Sequence, residues 1–328
     1  RGHGGGSAQT SHTRRIGLNQ MASNGHLVII GATASGKSAL AMEVARSRPG
    51  VELVSMDSMA LYRGMDIGTA APTAAERAEI PHHLLDLVDP TEEFTVSAFQ
   101  TAAREALADM EDRGVRAVLV GGTGLHVRAV VDDLEIPGQY EEIRAGLDAD
   151  ADTHGLYARL AELDPVAAGR MEATNRRRVV RALEVTLGSG RPFSSFGPGL
   201  DAYPATPFTQ IGLRVDRDVM DRRIEERYQR QLDDGFLDEI RTLADLDGGL
   251  SRTAAQALGY KELLAHHRGE RTLVDAVADA VVATRRFARR QERWFRRDPR
   301  IEWFDVADDP LEVLDEVLER FDNCGVPG

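Results

Sequence analysis

The sequence predicts an α/β protein: a parallel sheet covered by helices, interrupted by an all-helical insertion. Three observations lead there. Short apolar runs of strand type alternate with stretches at helical spacing between residues 27 and 134. The first run passes directly into a glycine-rich loop and then into helix formers. Strand patterns vanish between residues 135 and 205 and return near residue 211. Strands joined through helices pair in parallel and are covered on both faces, and such sheets hold ligands beyond the carboxyl ends of their strands.

Residues 1–22, opening with Arg1-Gly2-His3-Gly4-Gly5-Gly6, read as a disordered leader outside the fold. Leu27-Val28-Ile29-Ile30 is the first strand. Gly31-Ala32-Thr33-Ala34-Ser35-Gly36-Lys37-Ser38 then fits G-x-x-x-x-G-K-[ST], the phosphate loop of nucleotide-binding and ATP-binding proteins, and Ala39 to Ala45 after it are helix formers. Strand, glycine loop and helix in that order make the core P-loop NTPase-like. Backbone N–H groups of the loop and the helix N-terminus converge on an anion. Lys37 is expected to reach the outer phosphate, and the Ser38 hydroxyl to sit on Mg²⁺. Of 40 Lys plus Arg, only Lys37 and Lys261 are lysines. A compact ammonium at position 37, in a chain that otherwise uses Arg, reads as required by the loop. A diphosphate or triphosphate is the expected ligand.

A second strand at 51–55 ends in Asp57-Ser58, and a helix spans 96–112 with Phe99, Ala103, Leu107 and Met110 on one face. A third strand, 117–120, runs into Gly121-Gly122-Thr123-Gly124. Helical stretches at 139–148, 153–163 and 175–187 follow, closed by a Gly/Pro-rich segment at 188–207. A strand at 211–215 returns to the core, with helices at 218–233, 235–246 and 272–296, a strand at 301–304 and a last helix at 309–321. The chain therefore divides into a core of 23–134 and 206–328 and a helical insertion of 135–205.

Hydrophobic residues make up 42% and charged residues 28%, as in soluble globular proteins. Cys324 is the only cysteine, which excludes a disulfide framework and a Cys-based zinc site. No apolar run approaches the ~20 residues of a membrane span, and with no signal peptide in view a cytoplasmic protein without membrane contact is expected. The net charge of −13 argues against nucleic acid only on average, because positive charge is clustered. One cluster is Arg176-Arg177-Arg178 with Arg181; the other holds eight arginines between residues 285 and 300. Taken alone, either cluster also fits a solvated helix face.

A phosphate cradle does not dictate which bond breaks. A kinase or ATPase usually needs an acid ending an apolar strand to hold Mg²⁺, yet strand 117–120 ends in Gly121-Gly122-Thr123. The acid is Asp57, after the second strand, where it can serve as a base while the cradle holds a diphosphate leaving group. A P-loop kinase of a small molecule or nucleotide stays open as the alternative, as does a non-catalytic RNA-binding module.

The stretch Asp57-Ser58-Met59-Ala60-Leu61-Tyr62-Arg63-Gly64-Met65-Asp66-Ile67-Gly68-Thr69-Ala70 resembles the D-S-x-x-x-Y-x-x-x-D-I-G-T-A signature of tRNA dimethylallyltransferases, the isopentenyl-tRNA transferase family. In the same order come Pro81-His82-His83-Leu84-Leu85-Asp86, Gly121-Gly122-Thr123-Gly124-Leu125, Asn175 to Val185 (which reads like the family's N-x-R-R-V-x-R-A-L-E-V), Leu258-Gly259-Tyr260-Lys261-Glu262 and Thr284 to Phe295. The resemblance implies transfer of a dimethylallyl group from dimethylallyl diphosphate to the N6 amine of the adenosine 3′ of the anticodon, in a monomer. It implies Asp57 as general base, with Lys37, Thr123 and Arg227 as further catalytic residues. Arg227 would aid the diphosphate, or simply pair along its helix. Thr123 would lie near the reacting base, and it also fits a helix N-cap. The resemblance also implies a flipped adenine and a tRNA anticodon arm clasped by Asp57, Ser58, Met59, Ala60, Thr123, Arg144, Arg177, Arg178, Arg181, Gln256, Gly259, Tyr260, Lys261, Arg289, Arg290, Gln291, Arg293, Trp294 and Arg296. Trp294 fits a core position as well as a base-stacking one. His82 and His83 read as structural. The chain departs from the family at Ala32 (usually Pro), Ala60 (often Gln), Ala71 (commonly Lys) and His126 (commonly Tyr), which touches affinity and specificity more than chemistry.

Overall fold

The computed structural model describes residues 25–324, so the expected leader lies outside the described residues. Six strands form one all-parallel sheet: β1 (Leu27–Gly31), β2 (Val51–Ser55), β3 (His82–His83), β4 (Arg116–Gly121), β5 (Thr209–Val215) and β6 (Ile301–Val306). Their order is β3-β2-β4-β1-β5-β6. β1 is central because its side chains are apolar on both faces, and Leu27, Val28, Ile29 and Ile30 are fully buried. Ile29 sits in register with Val120 of β4 and Ile211 of β5.

The helices are α1 (Lys37–Ser47), α2 (Ala74–Glu79), α3 (Val96–Asp112), α4 (Gly124–Val131), α5 (Glu141–Ala149), α6 (Thr153–Leu163), α7 (Pro165–Ala168) and α8 (Arg176–Ser189). After β5 follow α9 (Arg217–Asp233), α10 (Phe236–Ala244), α11 (Tyr260–His267), α12 (Leu273–Phe295) and α13 (Leu314–Asp322). Their starts are written in the sequence. The Thr95, Asn175 and Thr272 side chains accept from the N–H of Ala98, Arg178 and Asp275. The short elements α2, β3, α7 and α11 have too few residues to show a period. α2 instead rests on a capping box between Thr73 and Glu76. The helix expected over 309–321 is a 3₁₀ turn (Pro310–Val313) followed by α13.

Two apolar clusters hold the chain together. The larger surrounds the sheet. The smaller consists of Leu147, Leu156, Leu160, Ala168, Val179, Val180, Ala182 and Leu183, contributed by α5 to α8. Its pairs at i and i+4, Leu156 with Leu160 and Val179 with Leu183, give each helix one apolar stripe. Where this arm returns to the core, Arg128 pairs with Asp132 and donates to the carbonyls of Leu200 (3.0 Å) and Ala202 (2.6 Å). Arg300 donates to Asp132 (2.6 Å), Asp298 (2.6 Å) and the Pro204 carbonyl (2.6 Å). Both guanidinium groups lie over the Tyr203 ring.

Candidate active site

The carboxyl ends of β2, β4 and β1 lie side by side, and each delivers one piece of the site. From β1 comes the phosphate loop, with Gly36 (φ 89°) and Ala34 (φ 64°) in the left-handed region. Glycine tolerates this freely; alanine carries strain. The Arg223 guanidinium steadies Ala34 by donating to its carbonyl at 3.3 Å and to the Asp308 carbonyl. Pro310 packs onto Gly36 so closely that a Cβ there would collide with it.

Within the loop the amides divide into two groups. The Thr33 N–H donates to Gln291 (2.9 Å) and the Ser35 N–H to the Ala32 carbonyl (3.2 Å). Those of Ala34, Gly36, Lys37 and Ser38 have no acceptor among the described residues and are free for an anion. The Ser35 hydroxyl is fully buried, has no hydrogen-bond partner among the described residues, and lies where a Cβ on Gly31 would collide with it. Ala32 is buried as well. The Lys37 ammonium donates to the Ala32 carbonyl at 3.3 Å. Burial lowers its pKa to about 8, with Asp57 raising it and Arg227 lowering it further. The Ser38 side chain is exposed.

From β2 comes Asp57. One carboxylate oxygen accepts from the N–H of Met59 (2.7 Å) and Ala60 (3.3 Å), which folds the loop back and fixes the acid at the strand end. Ala60 is buried; Ser58 and Met59 are partly exposed. From β4 comes Thr123. It occupies the N-cap position of α4, but its hydroxyl makes no cap. The hydroxyl accepts instead from the Ser58 N–H (3.3 Å) and donates to Ser58 Oγ (3.3 Å), tying the Asp57 loop to β4.

Arg227 of α9 turns inward rather than pairing along its helix. It donates to Thr33 Oγ1 (3.1 Å) and to the Gly68 carbonyl (3.0 Å). Burial lowers its pKa, yet a guanidinium stays charged. Lys37 and Arg227 thus place two cations against the single carboxylate of Asp57, a balance that favours an anionic ligand. The loop that Arg227 touches is anchored by Glu239 of α10, whose carboxylate accepts the N–H groups of Asp66 (3.0 Å), Ile67 (2.7 Å) and Gly68 (3.1 Å) and the Tyr260 hydroxyl (2.5 Å). Glu239 carries no motif in the sequence that marks it as an anchor. Its position directly before Ile240, on the apolar stripe of Phe236, Ile240 and Leu243, is the one local signal.

Several residues expected to face tRNA are buried or paired within the protein. Tyr260 is fully buried, edge-on to Phe236 at 5.0 Å between centroids, and burial together with Glu239 raises the pKa of its phenol. Gln291 is 7% exposed and points at the phosphate loop. Gly259 is buried in the turn before α11, at φ 85°. Trp294 is half-buried against Gly124, as a core residue would be. In the helical arm, Arg144 pairs with Asp148 (2.8 Å) and Glu184 (3.3 Å), and Arg181 with Glu184 (2.7 Å). Arg177, Arg178, Gln256, Lys261, Arg290, Arg293 and Arg296 are exposed, and Arg289 is partly so. His83 binds Glu52 at 2.6 Å and His82 the Ile80 carbonyl at 2.7 Å, both on the two-residue edge strand β3. His126 is buried edge-on to Phe99, and burial pushes its pKa down to about 4 while Asp57 pulls it up.

Among the described residues no cluster of three or more His, Cys, Asp or Glu could cage a metal. An ion held by one hydroxyl and by substrate phosphates needs no such cluster, and the exposed Ser38 hydroxyl at the loop end fits that mode.

Fold and site define an α/β protein with a phosphate-loop motif after β1 and a carboxylate at the end of β2 beside it. The family model described as IPP transferase matches residues 60–298. The chain is 47% identical to a protein called tRNA dimethylallyltransferase in Pseudarthrobacter chlorophenolicus, over 87% of this chain and 95% of that one. A Streptomyces coelicolor protein of the same name is 47% identical over 86% and 91%. The solved tRNA isopentenylpyrophosphate transferase of Bacillus halodurans is 35% identical, with a TM-score of 0.67 over 92% of this chain and 97% of that one. A eukaryotic dimethylallyltransferase described as acting on tRNA, 24% identical with a TM-score of 0.73 over 91% and 77%, shares the fold. The chain belongs to the IPP transferase family.

Proposed function

We propose that this chain transfers a dimethylallyl group from dimethylallyl diphosphate to the N6 amine of the adenosine 3′ of the anticodon in tRNA. The observation that carries this reading is the placement of Asp57 at the end of β2, tied through Ser58 and Thr123 to β4, which itself ends without an acid. A kinase would want the acid on β4, and the kinase reading is not favoured.

The adenine amine is a poor nucleophile because its lone pair is delocalised into the ring. In the step, the N6–C1 bond forms, the C1–O bond to the diphosphate breaks, and the N6 proton passes to the Asp57 carboxylate. Charge gathers on the departing oxygen. The free amides of Ala34, Gly36, Lys37 and Ser38, the Lys37 ammonium and Arg227 meet it. Mg²⁺ would be held by the Ser38 hydroxyl together with the diphosphate and would add charge neutralisation there. The adenine must leave its stack to enter a crevice at the strand ends. The exposed Arg177, Arg178, Lys261, Arg290, Arg293 and Arg296 supply cations for the phosphates of the anticodon arm.

The test is incubation with unmodified tRNA and Mg²⁺, supplying dimethylallyl diphosphate or ATP, followed by nucleoside mass analysis. A prenyl-sized gain on adenosine with the first donor alone is expected. ATP consumption without nucleoside change would return the kinase reading.

A further inference from the structure

One buried side chain joins the two halves of this site. Gln291 lies on the inner face of α12 with Thr284, Ala288 and Phe295, while Arg286, Arg290 and Arg293 line the exposed face of the same helix. Its amide oxygen accepts from the Thr33 N–H of the phosphate loop at 2.9 Å, and its amide nitrogen donates to the Gly122 carbonyl at 2.8 Å. The orientation is dictated by the partners, because the flipped amide would set donor against donor and acceptor against acceptor. Gly122 has to be glycine for this approach, since a Cβ would collide with the amide. The next residue is Thr123, whose hydroxyl holds Ser58 beside Asp57. A turn further along α12, Trp294 closes over Gly124 in the same way.

We propose that Gln291 is a positioning residue that sets the phosphate loop at a fixed distance from the β4–Asp57 side of the crevice, and that it acts on donor binding and alignment rather than by contact with tRNA. The assignment of the two sides to donor and acceptor rests on the transferase reading. The physical need is plain. A displacement between a bound diphosphate and a bound adenine proceeds only if the attacking and leaving atoms are aligned, and alignment lost by about 1 Å can cost about a hundredfold in rate. The contact also spends an amide. With the Thr33 N–H held by Gln291, that amide is withdrawn from the phosphate-binding set, and losing its acceptor would leave it unpartnered in a partly buried place.

The experiment compares wild type with Gln291→Met, which keeps the length and removes both hydrogen bonds. Gln291→Asn accompanies it, keeping an amide that is one methylene too short to span both partners. Folding is checked by melting, and dissociation constants are measured well below the transition for inorganic pyrophosphate and for tRNA separately. Both variants are expected to weaken pyrophosphate, Met by about tenfold or more, and to leave tRNA within about twofold. At saturation with both substrates kcat should fall further. Arg290→Gln, on the outer face of the same helix, should give the reverse pattern. Pyrophosphate affinity unchanged in whichever variants fold, or a loss confined to tRNA, would overturn the proposal. Pyrophosphate binding needs only the cradle, so a wild type that binds it without prenylating tRNA would sink the transferase reading and leave the Gln291 result standing.

Discussion

At the scale of single residues, the roles proposed for Asp57 as base and Lys37 as phosphate ligand separate by substitution. Asp57→Asn keeps a side-chain oxygen for the Met59 and Ala60 amides while removing the base. It should lower kcat by roughly 10²–10⁴ with pyrophosphate affinity nearly kept near neutral pH, in steady-state and titration measurements. A pyrophosphate loss as large as that of a Lys37 variant would contradict the assignment. Lys37 titrates from about 8 in the folded chain, below its ordinary 10.5. Pyrophosphate binding by the free protein should therefore weaken as pH rises through about 8, and Asp57→Asn should move that midpoint down by removing the charge that raises it. The stability sign is opposite. Between about 8 and 10.5 the unfolded chain binds the extra proton, so this group's contribution to stability rises with pH across that window, and at neutral pH the charged Lys37 opposes folding. Lys37→Met should raise the melting temperature while abolishing pyrophosphate binding, as calorimetry and titration would read.

The elements matter through what they hold in place. β1, β2 and β4 bring the site's pieces to one edge, but the helices behind them fix the geometry: α9 through Arg223 and Arg227, α10 through Glu239, and α12 through Gln291. Glu239 is the sharpest case. Glu239→Ala removes the acceptor of three backbone amides and of the Tyr260 hydroxyl. With an unpartnered buried donor costing about 1–3 kcal/mol, a loss of roughly 2–5 kcal/mol is expected in urea unfolding. Because the Gly68 carbonyl meets Arg227, donor affinity should fall too. A variant that lost stability and kept full donor affinity would show that the Asp66–Gly68 loop does not position Arg227. These helices were visible in the sequence as periods, with boundaries close to those observed. Their inward polar residues were not, because a Glu or Gln on an amphipathic helix reads as solvated until its neighbours are known.

For the whole molecule, the helical arm has its own apolar cluster and is rooted by Arg128, Asp132, Asp298 and Arg300 around Tyr203. Asp132, with its side chain 1% exposed, answers two guanidinium groups. Asp132→Ala should cost about 3–5 kcal/mol by leaving the buried Arg128 guanidinium without its carboxylate, Arg300 keeping Asp298, measurable as a drop in the urea midpoint. The exposed arginines should appear in tRNA binding as a steep salt dependence. Removing Arg290 and Arg293 together should reduce the log–log salt slope by about two, one for each phosphate contact. A slope that does not change would move the tRNA contact off α12.

The sequence alone determined the parallel α/β class, the phosphate loop, the strand-end acid, the helical arm and the family resemblance, because each is local: a motif, a period or an ordered set of short blocks. Tertiary structure decided which groups still face a ligand. Thr33 and Ser35 give up their amides within the protein, the Thr123 hydroxyl binds Ser58 instead of capping its helix, and Tyr260 and Gln291 turn inward from stretches rich in exposed charge. A side chain's neighbours come from distant parts of the chain, 258 positions away for Thr33 and Gln291. No local pattern encodes that proximity; the packing of α12 against the sheet edge creates it.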